Sequence, residues 1–186
     1  MTGGTLTQWL IEERKAGIPM GSRLEKLRWK INSMVMKTND CAGFFSHLYS
    51  VSMFATMLAR KRGLDPEIAA VCGMLHDIYQ VTAGTGEQHA AEGAKVAAEM
   101  LRQANEYSDE EIEIITTAIS WHSKKLKFHG PYDELLKDAD VMSHYFYNLD
   151  FAMRNKDSLR YLQKGSARYE SLLLELGIGP PQQVCD

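Results

Sequence analysis

The sequence predicts an all-α fold in a single domain, and three observations carry that prediction. Apolar residues recur at helical spacing along almost the whole chain, alternating strand-like runs are nearly absent, and N-capping residues and glycines stand where helices would start and stop. A length of 186 residues without an internal repeat or a long linker argues against a second domain. Apolar residues are 45% and charged residues 24%, which excludes wholesale disorder, collagen-like structure and a disulfide scaffold.

The elements follow in order. Leu6 to Ala16 reads as a short first helix, stopped by Gly17-Ile18-Pro19. Ser22 caps a second helix to about Lys37, with Leu24, Leu27, Ile31 and Met34 on one face. A third runs from about Phe44 to Arg62 and stops at Gly63. Asp65 and Pro66 form a cap and first-turn pair for a fourth, read through Ile78. Thr82 to Glu87 is loop, and an alanine-rich fifth helix covers His89 to Ala104. Ser108 and Glu111 form a capping box for a sixth that ends near His122. The lysine-bearing loop Ser123 to Tyr132 leads to a seventh helix from about Asp133 to Leu149. A last helix near 157–176 carries a narrow seam of Leu159, Leu162, Ser166, Tyr169, Leu173 and Leu176 before Gly177. Packing within the chain is the first reading of that seam and a homodimer contact the second.

Lys+Arg total 21 against 24 Asp+Glu, a formal charge of −3, so no net positive field marks a nucleic-acid polymer as partner. Cys41, Cys72 and Cys185 lack metal-type spacing and read as reduced thiols. The N-terminus does not look like a signal peptide, and no apolar run reaches the roughly 20 residues that cross a bilayer, so a cytoplasmic protein without a membrane partner is expected.

Chemistry enters through the histidines. Four of the six fall on the apolar stripes of four different helices. His47 lines up with Val51, Phe54 and Leu58; His76 follows Ile68, Cys72 and Leu75; His89 shares a side with Gly93, Val96 and Met100; His122 completes Ile112, Ile115 and Ile119. A stripe faces the core because its burial drives the helix to pack, so these four imidazoles point inward. One inward histidine is ordinarily a hydrogen-bonded core residue. Four together, each costing about 1–3 kcal/mol if left unpartnered, call for a shared cation. Asp77 adjoins His76, and Asp140 shares a helix face with Leu136, Ser143 and Tyr147, whereas Asp138 points elsewhere and reads as solvated. A carboxylate on a packed face needs a cation or another ionic partner.

A lone His-Asp pair carries little weight, but the ordered set resembles the HD-domain superfamily of metal-dependent phosphohydrolases. The matching segments are Phe45-Ser46-His47, Gly73-Met74-Leu75-His76-Asp77-Ile78, His89 with Glu92-Gly93-Ala94, Ala118-Ile119-Ser120-Trp121-His122 and Leu136-Lys137-Asp138-Ala139-Asp140. The resemblance implies an HD-type helical bundle with its core over 40–150, the N-terminal helices of 5–37 and the C-terminal helix of 157–176 packing on it. It implies His47, His76, Asp77 and Asp140 as ligands of a first metal, and places His89 and His122 where two-metal members have extra histidines, with Asp77 able to bridge.

Mixed imidazole and carboxylate ligands suit one or two divalent Fe, Mn, Co, Ni or Zn ions better than Ca or Mg. Water activated at such ions would attack phosphorus without a serine or cysteine nucleophile, and the sequence shows no persuasive nucleophile of that kind. The expected reaction is cleavage of a phosphoester or phosphoanhydride in a small, nucleotide-like phosphorylated substrate. Asp77 and Lys124 are the expected catalytic residues, with Lys124, Lys137 and His129 facing the anionic substrate. His144, one turn after Asp140, either approaches the site or is hydrogen-bonded in the core. Gly84-Thr85-Gly86 lacks the Lys-Ser/Thr ending of a phosphate-binding loop and reads as a flexible connection or lid edge. Two rival functions remain at this level: a di-iron oxygenase on the same fold, and a non-catalytic nucleotide-binding regulatory domain.

Overall fold

The computed structural model describes residues 21–147 and 172–177. The expected first helix, and the expected last helix apart from its final turns, lie outside the described residues. Among the described residues there is no strand, and seven helices follow one another: α1 (Arg23–Val35), α2 (Cys41–Arg62), α3 (Pro66–Leu75), α4 (Ile78–Ala83), α5 (His89–Ala104), α6 (Asp109–Trp121) and α7 (Pro131–Tyr147).

Their ends fall where local chemistry puts them. Ser22 and Glu25 close a capping box on α1, and Ser108 and Glu111 close one on α6. Asp65 caps α3 by accepting from the backbone N–H groups of Glu67 and Ile68, with Pro66 just inside. Gly63 stops α2 at φ 67°, a left-handed conformation that glycine adopts without a Cβ penalty.

α2 is the central element. By length and composition alone it could cross a membrane. Here it packs on α3 and α7, burying Leu48, Val51, Phe54, Ala55, Leu58 and Ala59. Its crossing with α3 is a backbone contact: a Cβ added at Gly73 would stand 2.5 Å from the Ser52 Cα. Ser52 Oγ bonds the Ala70 carbonyl at 3.0 Å at the same crossing. α7 runs antiparallel to α2, since Arg62 meets Asp138 while His47 meets Ser143. α5 and α6 form a second antiparallel pair, closed where His89 meets His122.

Three expectations are corrected. The fourth helix does not continue to Ile78; it ends at Leu75, and α4 starts afresh after His76 and Asp77. The apolar spacing runs unbroken across this point, but the His76 ring turns back onto the Gly73 carbonyl at 2.8 Å, and Asp77 takes a non-helical φ,ψ of −109°, 20°. Asp138 is not solvated. It is 1% exposed and paired with Arg62 at 2.9 Å, a guanidinium that also holds Glu175. That pairing ties residues 172–177 to α2 and α7, and of this stretch Leu172, rather than the expected Leu173, enters the core.

Candidate metal centre

The four stripe histidines and two aspartates meet. His47 Nε2 lies 3.0 Å from His76 Nε2, and His89 Nε2 lies 3.2 Å from His122 Nε2. Asp77 stands between the two pairs. Its Oδ2 is 3.6 Å from His47 Nε2 and 3.4 Å from His76 Nε2, while its Oδ1 is 3.7 Å from His89 Nε2 and 3.6 Å from His122 Nε2. Asp140 Oδ1 closes the first group, 3.3 Å from His47 Nε2 and 3.7 Å from His76 Nε2. Helix breaks make this possible: His76 is the C-cap of α3, His122 the C-cap of α6, and His89 the first residue of α5, so the rings reach past their own helix ends.

Hydrogen bonds on the far side of each ring fix what the near side offers. The Nδ1 atoms of His76, His89 and His122 donate to the carbonyls of Gly73, Gly86 and Ile119 at 2.8, 2.8 and 2.6 Å. With Nδ1 engaged on that side, each ring turns its Nε2 toward the centre. His47 is set by hydroxyls instead. Ser50 Oγ donates to the His47 carbonyl at 3.0 Å and so accepts from Ser143 Oγ at 2.6 Å; Ser143 in turn accepts from His47 Nδ1 at 3.1 Å. His47 therefore also turns its Nε2 toward the centre.

This arrangement fits a cation. In their neutral forms His89 and His122 would face each other with two Nε2 lone pairs 3.2 Å apart, and Asp77 Oδ1 and Asp140 Oδ1 are buried without a hydrogen-bond partner. Such groups are costly unless something positive sits among them. His47, His76 and Asp140 form one group that could hold a metal ion, and His76, Asp77 and His122 form another. Without a metal, protons and charges do part of the work. Burial opposes the charge on Asp77, yet the imidazoles of His76, His122 and His47 hold its carboxyl well below the usual range. Burial likewise opposes Asp140, and the Lys125 ammonium, with His47 and His76, holds it well below. Burial works against a proton on His47 too, but Asp140 and Asp77 outweigh it and bring this imidazole up to about 9. His122 goes the other way, pushed down by burial, with Asp77 only partly offsetting.

The residues read as facing substrate take different positions in the structure. Lys124 is exposed, and its neighbour Lys125, 8% exposed, turns inward and pairs with Asp140. Lys137 does not reach the mouth of the site. It is fully buried, bonding the Lys127 carbonyl, Glu134 and His129 Nδ1. His129 is half-buried rather than open, stacked on Trp121 with ring centroids 4.2 Å apart. His144 approaches the site: its ring stacks on His47 at 4.8 Å, with Nε2 3.8 Å from Asp140 Oδ1. Sequence reasoning missed Lys125 because a loop has no periodicity to show which of two adjacent lysines faces inward.

Comparison with known proteins agrees with this geometry. The region is 32% identical over 109 residues to Ribonuclease Y of Rhodopirellula baltica, covering 58% of this chain and 19% of that protein. It is 33% identical over 97 residues to Ribonuclease Y of Chlorobium luteolum, covering 52% and 17%. The chain thus spans about a fifth of the length of these relatives. Their name stands in tension with the expectation of no nucleic-acid polymer. A crystal structure of a predicted HD superfamily hydrolase from an uncultured Thermotogales bacterium shares the fold, with TM-score 0.54 and 23% identity over 80% of this chain and 87% of that one. HD domains bind divalent metals, in keeping with the His/Asp cluster here. The HD domain family model matches residues 44–144, a stretch that holds all six converging side chains and more than half of the 186 residues, and the chain belongs to that family.

Proposed function

We propose that this chain is a metal-dependent phosphohydrolase that cleaves a phosphoester or phosphoanhydride of a nucleotide-type substrate. One observation carries the reading: four Nε2 atoms and two carboxylates converge on a small buried volume in which two carboxylate oxygens have no hydrogen-bond partner. His47, His76, Asp140 and Asp77 Oδ2 would hold one ion, and His89, His122 and Asp77 Oδ1 a second. Imidazole and carboxylate donors in this mixture favour Fe, Mn, Co, Ni or Zn. Divalent ions held there would supply an activated water with a pKa of about 7 and would stabilise the attacking and leaving oxygens of an in-line displacement.

The chain's own residues do the rest. Asp77 separates the two groups by giving one oxygen to each. Lys125 neutralises Asp140 from the loop side and would stand nearer the reacting phosphate than the exposed Lys124. His144, stacked on His47, can hold or pass a proton at Nε2 beside Asp140. The ribonuclease relatives support a nucleotide-type phosphate, and the hydrolase fold neighbour agrees with the architecture.

The test pairs elemental analysis of freshly purified protein with a phosphate-release screen. His76→Ala and Asp77→Ala are each expected to lose bound metal and turnover together. Unchanged hydrolysis in either variant would end the proposal.

A further inference from the structure

The loop between α6 and α7 is built unlike an ordinary solvated connection. Its inward positions are tied down: Lys125 to Asp140, His129 to Lys137 and to the Trp121 ring, and the Lys127 carbonyl to Lys137. Lys137 lies fully buried beneath it. Held in this way, the end of α6 and the loop leave Trp121 37% exposed, Leu126 49% and Phe128 66%, with Lys124 and Lys127 also exposed. Large apolar side chains held out to water beside a candidate active site mark an interaction surface. Exposed lysines interleaved in sequence with the aromatic residues narrow the choice of partner, because successive bases can stack on the rings while the lysines track the phosphates. A net charge of −3 gives no long-range pull on a polyanion, so recognition has to be local, as this patch is.

We infer that residues 121–129, the last residue of α6 and the loop after it, form a lip that grips a single-stranded nucleic acid, stacking bases on Phe128 and Trp121 and pairing phosphates with Lys124 and Lys127, so that the strand crosses the mouth of the candidate metal centre. Two of the lip's anchors belong to that centre. His122 begins the loop, and Lys125 reaches Asp140 from it. A duplex hides the faces of its bases, so single strands are the form that fits. The inference rests on the phosphohydrolase reading for what happens at the centre, but binding at the lip can be measured without catalysis.

The probe is a fluorescein-labelled single-stranded RNA of about a dozen nucleotides, long enough to span a site of roughly 4–16 nucleotides, followed by anisotropy on chelator-treated protein. The duplex of the same sequence and a mononucleotide serve as competitors. Wild-type protein is expected to prefer the single strand over both. Phe128→Ala is expected to weaken binding about five- to a hundredfold, as for loss of one stacked base. Lys124→Ala and Lys127→Ala are each expected to lower the slope of log affinity against log salt by about 0.7. Met53→Ala, on the outer face of α2, is the control and leaves binding as it was. Equal binding by Phe128→Ala, or no preference for the strand over a mononucleotide, overturns the inference. So does a concentration-dependent dimer that Phe128→Ala dissolves, which would assign the lip to a second copy of the chain. Absence of metal-dependent phosphate release in wild-type protein would instead count against the phosphohydrolase reading.

Discussion

Asp138 and Asp140 sit two residues apart on α7, both buried, and they differ in one respect. Asp138 is answered by Arg62 at 2.9 Å. Asp140 is paired with Lys125 through Oδ2 only, and its Oδ1, although close to His47, has no hydrogen-bond partner. The lysines repeat the contrast: Lys137 bonds three groups of its own loop and helix, while Lys125 reaches across to Asp140. Burial of a charge therefore does not mark a site. What sets Asp140 apart is that its unpartnered oxygen lies among converging imidazoles and beside a second such oxygen, on Asp77, so the uncompensated cost is gathered at one point where a cation would offset it.

The contrast breaks if the two aspartates prove interchangeable. Asp140→Asn is expected to abolish tight metal binding, beyond the roughly hundredfold that loss of an outer partner costs, in a chelator-competition titration. Asp138→Ala is expected to keep its metal and lose about 1–3 kcal/mol of unfolding free energy, since it leaves one Arg62 donor unanswered while Glu175 still holds the guanidinium. Denaturant unfolding on metal-free protein checks the second. Metal loss in the Asp138 variant would erase the distinction.

The same contrast explains what could be read in advance. The helices and the ligand order were legible because burial imposes the 3.6-residue period, and His47, His76, His89 and His122 each lie in phase with it. Asp138 was misread because its partner Arg62 is 76 residues away and follows no local pattern. Lys125 and Lys124 are neighbours on a loop, where only tertiary contact decides direction. The break between α3 and α4 was hidden by an apolar run that satisfies helix periodicity straight through His76 and Asp77.

Protons sharpen the picture further. His47 is held up to about 9 in the metal-free protein by Asp140 and Asp77 against the effect of burial. Its folded value lies above the ordinary imidazole range, so the folded chain binds more protons than the unfolded one in between, and this contribution to stability is lost as pH rises toward about 9. Asp77 and Asp140 shift the opposite way, so their contribution is lost as pH falls below the usual carboxylate range. Metal binding must displace the His47 Nε2 proton. Apparent affinity for the ion in the His47 group is therefore expected to rise about tenfold per pH unit from neutrality toward pH 9, with one proton released as that ion binds in calorimetry across buffers of different ionisation enthalpy. A pH-independent affinity over that range would show that His47 is not displaced.

The smallest expected effect tests how the two halves of the centre are oriented. His76, His89 and His122 lean on carbonyls of residues that precede them by three, partners no side-chain substitution removes. His47 alone depends on the Ser143 and Ser50 hydroxyls. Ser143→Ala removes the acceptor for its Nδ1 proton and frees the ring to take the other tautomer, whose Nε2 proton would donate to His76 at the 3.0 Å separation seen here and block the metal. Affinity of the His47 half is expected to fall about tenfold, the low end for an outer partner, and Ser143→Thr, which keeps the hydroxyl, to restore it. Nitrogen chemical shifts of His47 in the zinc-loaded protein report the tautomer directly. If the alanine variant keeps both the Nδ1–H signal and the affinity, helix packing rather than the hydroxyl chain orients the ring.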